Sequence, residues 1–250
     1  MKSKSDTVLE LVYGIHPIHE LLRAKKRQIK TIYTIKPEPR AFAAIRALLP
    51  KHVAVQYRSR EELTRLAGTS DHQGVIAWAT PFVWRKKVFD PANQRVLVML
   101  DGIQDTRNMG AILRSAYCTG VHGVILARKS SAPLNASTLK ASAGLAEHMQ
   151  IYQAPSAKHA VQELKAAGYQ IYVAALAKRS QNAARVAYQA PLCVVIGSEG
   201  AGVSSDILSL GIIVTLPQRT PDISYNASVA AGILLFLIAE QQNLLQQPLD

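Results

Sequence analysis

A chain of 250 residues with 48% hydrophobic content is long enough to bury the core of one large or two modest domains, which excludes a disordered or low-complexity protein. Its formal net charge of +12 favours an anionic partner, most simply nucleic acid, and residues 1–90 hold 17 Lys and Arg against 8 Asp and Glu. The longest apolar run, Val229–Ala239, is about half of the ~20 residues that span a bilayer, and the start, MKSKSDTVLELVYG, lacks a signal peptide's apolar region, so no membrane role and a cytoplasmic location are expected.

In chain order, helical spacing follows Gly14 at Ile15, Ile18, Leu21 and Leu22, and a basic run, Arg23 to Arg27, closes the helix. Ile29–Ile35, Val53–Tyr57 and Val75–Ala79 read as strands, with helices at Arg40–Leu49 and Arg60–Leu66 between them. Residues 1–83 therefore form a small α/β domain, and its cations, the cluster Arg23, Lys25, Lys26 and Arg27 among them, are expected to meet the polyanion. WRKKVFDPANQ, residues 84–94, breaks the periodicity and reads as a linker.

Residues 95–250 form the second domain. Its strands are more apolar: Val96–Leu100, Val121–Ala127, Gln150–Gln153, Gln170–Leu176, Leu192–Ile196 and Ile212–Leu216. Helical patterns separate them at Ala111–Thr119, Ala136–Ala146, Ala157–Ala167 and Ala227–Leu245, an alternation that implies a mostly parallel sheet covered on both faces. Cys118 and Cys193 lie in apolar patterns outside any CxxC pair and are expected to be reduced and buried.

Three stretches end apolar strands with polar, glycine-bearing turns. In CVVIGSEGAG, residues 193–202, Gly197, Gly200 and Gly202 are expected to take positive φ and admit a ligand beside Glu199; a turn without a ligand is the alternative. In DGIQDTRNMGAILRSA, residues 101–116, Asn108 is placed to cap a helix that carries Arg114, an arginine suited to an anion. In LPQRTPDISYNASVAAG, residues 216–232, Pro217 and Pro221 stiffen a loop, and Ser224, Asn226 and Ser228 lead into a small-residue helix, where Ser224 or Asn226 can act as N-cap.

In this order the three stretches resemble the motifs of the SpoU (TrmH) family of SPOUT RNA ribose 2′-O-methyltransferases. YGIHPIHELL and DHQGVIA resemble the substrate-binding domain of family members that act on guanosine in 23S rRNA. The resemblance implies a C-terminal α/β trefoil-knot domain, a small N-terminal L7Ae/L30e-like domain, a homodimer, and S-adenosylmethionine as cofactor. By motif position it implies catalytic roles for Asn108, Arg114, Glu199, Ser224 and Asn226, and cofactor contacts near Gly197, Gly200, Leu216 and Tyr225. The sequence departs from the family at Tyr225, Ala227 and the loop Gln218–Ile223, which is not the common Met-Gly-rich form.

A sulfonium methyl is already activated, so the protein must mainly align a ribose 2′-oxygen and assist loss of its proton. A guanidinium is a poor base near neutral pH, so Arg114 is read as holding a phosphate or a developing oxyanion. No metal is expected, His16 and His19 being read as packing or surface groups. The alternatives are an enzyme of the same family acting on tRNA and a non-catalytic RNA-binding protein that uses the knot as a dimer scaffold.

Overall fold

Gly14, at φ 95°, turns the chain from the short strand β1 (Glu10–Tyr13) into α1 (Ile15–Ala24), whose Ile15, Ile18 and Leu21 are buried at helical spacing. Four residues are too few to establish an alternating pattern, which is why β1 does not stand out in the sequence. There follow β2 (Ile29–Thr34), α2 (Phe42–Leu48), β3 (Val55–Tyr57), α3 (Arg60–Ala67) and β4 (Val75–Ala79). α3 opens on a capping box, Ser59 Oγ accepting from Glu62 N while the Glu62 carboxylate accepts from Ser59 N, and closes on Gly68 in the left-handed region. The strand order is β1-β4-β2-β3, with β4 antiparallel to β1 and β2, and β2 parallel to β3. β1, β2 and β3 therefore finish at one end of the sheet. This computed structural model describes residues 8–128, 130–220 and 223–245; the first seven residues and Pro221 of the stiffened loop lie outside them.

The second unit begins at Trp84. Residues 84–94 are packed structure rather than a free linker: Phe89 is 1% exposed in the core, the Arg85 guanidinium lies 4.6 Å from its ring, and Arg85 bridges Tyr152. The charges around a single Phe hide this in the sequence. Then come β5 (Val96–Asp101), α4 (Thr106–Cys118) and β6 (Gly123–Ala127).

Residues 134–148 belong with the first unit, although the sequence reading leaves them in the second part of the chain. Asn135 caps α5 (Ala136–Ala141), and positive φ at Ala143 and Gly144 breaks the single expected helix before a 3-10 turn, Leu145–Glu147. Glu147 anchors the segment. Arg27 Nη1 donates to Glu147 Oε1 at 2.8 Å, Nη2 to Glu10 Oε2 at 2.9 Å and Nε to the Thr80 carbonyl at 2.6 Å. The Arg27 side chain is fully buried, so it does not meet RNA as the basic cluster is expected to. Burial raises the Glu147 pKa against the pull of Arg27.

The second unit continues with β7 (Ile151–Ala154), α6 (Ala157–Ala166), β8 (Gln170–Ala174), β9 (Gln181–Asn182), β10 (Leu192–Gly197), α7 (Ser205–Leu208), β11 (Ile212–Thr215) and α8 (Ala227–Gln241). Its sheet runs β7-β6-β5-β10-β8-β11-β9 with every pairing parallel. Leu97–Leu100 and Cys193–Val195 are closed to water on both faces, which explains why these strands are apolar without alternation. Burial raises the Cys193 thiol pKa, whereas Cys118, expected to be buried, is exposed near the end of α4. Among the described residues no helix is long and apolar enough to cross a membrane.

Removing the guanidinium at position 27 leaves Glu147 interred without a partner. Arg27→Ala is therefore expected to cost about 3–5 kcal/mol, read by urea unfolding. A loss below about 1 kcal/mol would show that the triad is not what holds residues 134–148.

Candidate active site

The parallel strands β5 and β10 end side by side, Gly197 opposite Asp101. Beyond Gly197 the chain doubles back: Ser198 and Gly202 exchange backbone N–H···O bonds of 3.0 Å each. This leaves no room for a side chain at position 197, where a Cβ would strike the Gly202 carbonyl and the Val203 nitrogen. Of the three glycines expected to take positive φ, only Gly202 does, at 68°. Gly197 is required for close approach of two backbones, and the space at Gly200 is open. Asp101, 3% exposed, secures the turn by accepting from Ser204 N at 2.8 Å. The sequence reading did not single out Asp101; its signal is a carboxylate closing an otherwise apolar strand.

The turn carries Glu199 to the polar ends of two helices. Asn108 is not the cap of α4: Asp105 accepts from Arg107 N and caps it, which places Asn108 inside the first turn. From there Asn108 Nδ2 donates to Glu199 Oε1 at 3.0 Å. Asn226 caps α8, its Oδ1 accepting from Ser228 N at 2.9 Å and Val229 N at 3.3 Å. With its oxygen so occupied, its Nδ2 donates to Asn108 Oδ1 at 3.2 Å and makes a short hydrogen bond to Glu199 Oε1. Asn108, Glu199 and Asn226 thus form a closed triangle across three separate loops.

Two cavities flank the Ser198–Val203 turn. One, of about 450 Å³, has apolar walls that include Leu176, Ile196, Val214, Leu216 and Leu234, and the residues read as cofactor contacts, Gly197, Gly200, Leu216 and Tyr225, all line it together with Ser224. The Tyr225 hydroxyl donates to the Pro217 carbonyl at 3.2 Å, fixing that wall. Gln218 borders the same cleft, and its buried Nε2 has no hydrogen-bond partner. An apolar slot with exposed glycine backbone and an unused amide donor fits a nucleoside cofactor such as S-adenosylmethionine. The other cavity, of about 930 Å³, shares Ser198 and Glu199 with the first and adds Asp101, Gln104, Asp105 and Asn108 to its walls.

The structure does not bring every expected catalytic residue to the triangle. Arg114 is exposed on α4 and makes no hydrogen bond or ion pair among the described residues, and Ser224 reaches the cofactor cleft but not Glu199. Among the described residues no group of three His, Cys, Asp or Glu side chains is placed to hold a metal ion.

Asn226→Ala removes both cap and link and is expected to cost about 1 kcal/mol of stability. Asn226→Asp keeps the capping oxygen but sets a carboxylate against Glu199. That like-charge repulsion should lower the melting temperature of Asn226→Asp below that of wild type at neutral pH, with the deficit shrinking as salt is raised. A deficit that salt leaves unchanged would mean that Asn226 does not face Glu199 in solution.

Residues 95–236 match the family model for the SpoU rRNA Methylase family, and residues 11–83 match the model for RNA 2′-O ribose methyltransferase substrate binding. An "Uncharacterized tRNA/rRNA methyltransferase" of Mycolicibacterium vanbaalenii is 31% identical over 96% of this chain and 79% of its own. The 23S rRNA (guanosine-2′-O-)-methyltransferase RlmB of Pseudomonas aeruginosa is 29% identical over 95% of this chain and 98% of its own. The crystal structure of an RNA 2′-O ribose methyltransferase aligns with a TM-score of 0.82 at 20% identity, covering 95% of this chain and 90% of that one. An AdoMet-bound rRNA methyltransferase from Sinorhizobium meliloti aligns with a TM-score of 0.76 at 21% identity, over 96% of this chain and 88% of that one. The fold is that of these SPOUT methyltransferases, and with the family model covering more than half of its length the chain belongs to the SpoU family of RNA 2′-O-ribose methyltransferases.

Proposed function

We propose that this protein methylates the ribose 2′-hydroxyl of a guanosine in 23S rRNA, as a cytoplasmic homodimer that uses S-adenosylmethionine. The observation that carries the reading is the meeting of the three motif stretches in the Asn108–Glu199–Asn226 triangle, with a cavity on either side of the Ser198–Val203 turn, one walled by Leu216 and Tyr225 and the other by Asp101 and Asp105. The guanosine and 23S rRNA assignment rests on the RlmB relative and on a substrate-binding unit that accompanies the catalytic one.

Bound in the apolar cleft, S-adenosylmethionine supplies an electrophilic methyl group; the chain supplies position. Gly197 and Gly200 admit the ligand to the backbone, Leu216 and Tyr225 wall it, and Ser224 stands at its rim. The triangle holds Glu199 in one orientation beside the larger cavity, where the target nucleotide is placed by this reading. Arg114, with no protein partner of its own among the described residues, is available for a phosphate or for the negative charge that grows on the 2′-oxygen.

The dimer is supported by α8. The helix is apolar around its circumference, the mark of a helix covered on all sides, yet Val229, Ile233 and Phe236 are exposed, Phe236 by 53%. They recur at spacings of four and three along one side. A second copy of the same helix would cover that stripe, as a twofold interface pairs identical surfaces.

Arg114→Ala should slow methyl transfer on the order of a hundredfold to a thousandfold while leaving the calorimetric affinity for S-adenosylmethionine within about threefold. A 2′-deoxyguanosine at the target should abolish transfer, since it lacks the accepting oxygen. Undiminished transfer to the deoxy substrate, or a loss below tenfold in the variant, would overturn the proposed chemistry. Mapping ribose methylation in rRNA with and without the gene tests the target.

A further inference from the structure

The cations that the sequence presents as one basic cluster are largely engaged within the protein. Arg27 is buried against Glu10 and Glu147, Arg23 donates to Glu20, and Lys26 donates to the His148 carbonyl with its pKa lowered by burial. Binding to a phosphate backbone requires cations that remain in solvent. Within the first unit such cations gather where β2 and β3 finish.

Lys36 and Arg40 follow β2, and Arg58 and Arg60 follow β3; all four are exposed and none joins an ion pair among the described residues, although Arg58 Nη1 donates to the Tyr57 carbonyl at 3.0 Å and so keeps only part of its guanidinium for a phosphate. Tyr57, the last residue of β3, pairs in register with Thr34, the last of β2, and has 38% of its surface exposed. The ring is held in place. Its hydroxyl donates to Glu38 Oε1 at 2.7 Å and accepts from Arg46 Nη2 at 3.3 Å, and the bond from Tyr57 holds the Glu38 carboxyl below its ordinary pKa. Lys36 Nζ lies 4.3 Å from the Tyr57 ring centroid, and the Arg58 guanidinium lies 5.3 Å from that of Tyr33.

A fixed, half-open aromatic ring among exposed cations that carry no ion pair, with Lys36 against one face, matches the chemistry of an unstacked nucleotide, whose base offers a π face to the ring and whose phosphate offers charge to the cations. A continuous duplex presents no free base face to such a ring. Resting on the RNA reading above, we propose that this end of the first unit's sheet docks a single-stranded segment of the substrate RNA. An unpaired base stacks on Tyr57, and the flanking phosphates lie against Lys36, Arg40, Arg58 and Arg60. Tyr57 is a positioning residue here, since it belongs to the unit that does not carry the Asn108–Glu199–Asn226 triangle.

The test measures binding of the full chain to a fluorescein-labelled twelve-nucleotide oligouridylate and to a twelve-base-pair RNA duplex by anisotropy. Tyr57→Ala should weaken single-strand binding roughly ten- to hundredfold and duplex binding by less than threefold. Tyr57→Phe, which keeps the ring and loses both hydroxyl contacts, should stay within about threefold of wild type for the single strand. Arg58→Gln with Arg60→Gln should lower the magnitude of the single-strand salt slope by about 1.4, the value for two lost phosphate contacts. Arg23→Gln should leave both affinities within twofold. Thermal melting and S-adenosylmethionine calorimetry, unchanged in these variants, separate a lost surface from a lost fold. Single-strand affinity that survives Tyr57→Ala, or equal loss toward strand and duplex, overturns the docking surface alone; a wild-type chain that binds neither RNA overturns the RNA reading and this proposal together.

Discussion

The site depends on one close approach, the backbone of Gly197 against that of Gly202 and Val203, which no other residue type permits without displacing the turn. Because the chain reverses there immediately, Glu199 emerges beside the ends of β5 and β10 rather than further out in solvent. Asp101 fixes the return limb through Ser204, so the strand that precedes α4 also positions the turn that follows β10. Parallel pairing does the rest: with every strand of this sheet running the same way, loops separated by more than 90 residues in sequence open at the same edge. The triangle of Asn108, Glu199 and Asn226 is the product of that topology, and each asparagine is supported by the first turn of a helix.

Charge has two roles in the first unit, and only burial tells them apart. Arg27 and Glu147 join segments about 120 residues apart in sequence, and their value is geometric: a bidirectional set of donors satisfies two carboxylates and a carbonyl at once. The exposed Arg40 and Arg60 join no ion pair among the described residues. A net charge therefore measures what the chain carries, not what it offers to a polyanion, and the difference here amounts to most of the Arg23–Arg27 run.

The second unit was legible in sequence because its strands are buried on both faces, so unbroken apolar runs such as Val96–Leu100 and Cys193–Ile196 have no competing explanation as amphipathic helices. Glu199 and Asn226 were legible as polar residues at strand exits. What pattern could not supply was partnership: the choice of Asp105 over Asn108 as cap turns on loop geometry, and the packing of residues 84–94 turns on one Phe among charges. The segment 134–148 could not be placed by composition, since it follows β6, the second unit's second strand, and is drawn to the first unit by partners far away in sequence: Arg27 for Glu147, Gln73 for Lys140, Glu20 for His148 and Tyr13 for Ser137. Local propensity describes such a segment without saying against what it folds.

Helix α8 ties the chemistry to assembly. Its first residue-length of structure, the Asn226 cap, orients the donor that Glu199 accepts, while Ala231, Leu234, Leu235 and Ile238 bury one side in the unit and Val229, Ile233 and Phe236 leave the other apolar side open. α4, which packs against α8, carries Asn108 at its start and Arg114 almost two turns later. A surface formed on these two helices therefore borders both the triangle and the arginine. Covering the α8 stripe would restrain the helix whose cap aligns Glu199. In the proposed dimer, association and methyl transfer would share a physical requirement, that the helix whose cap aligns Glu199 be held still.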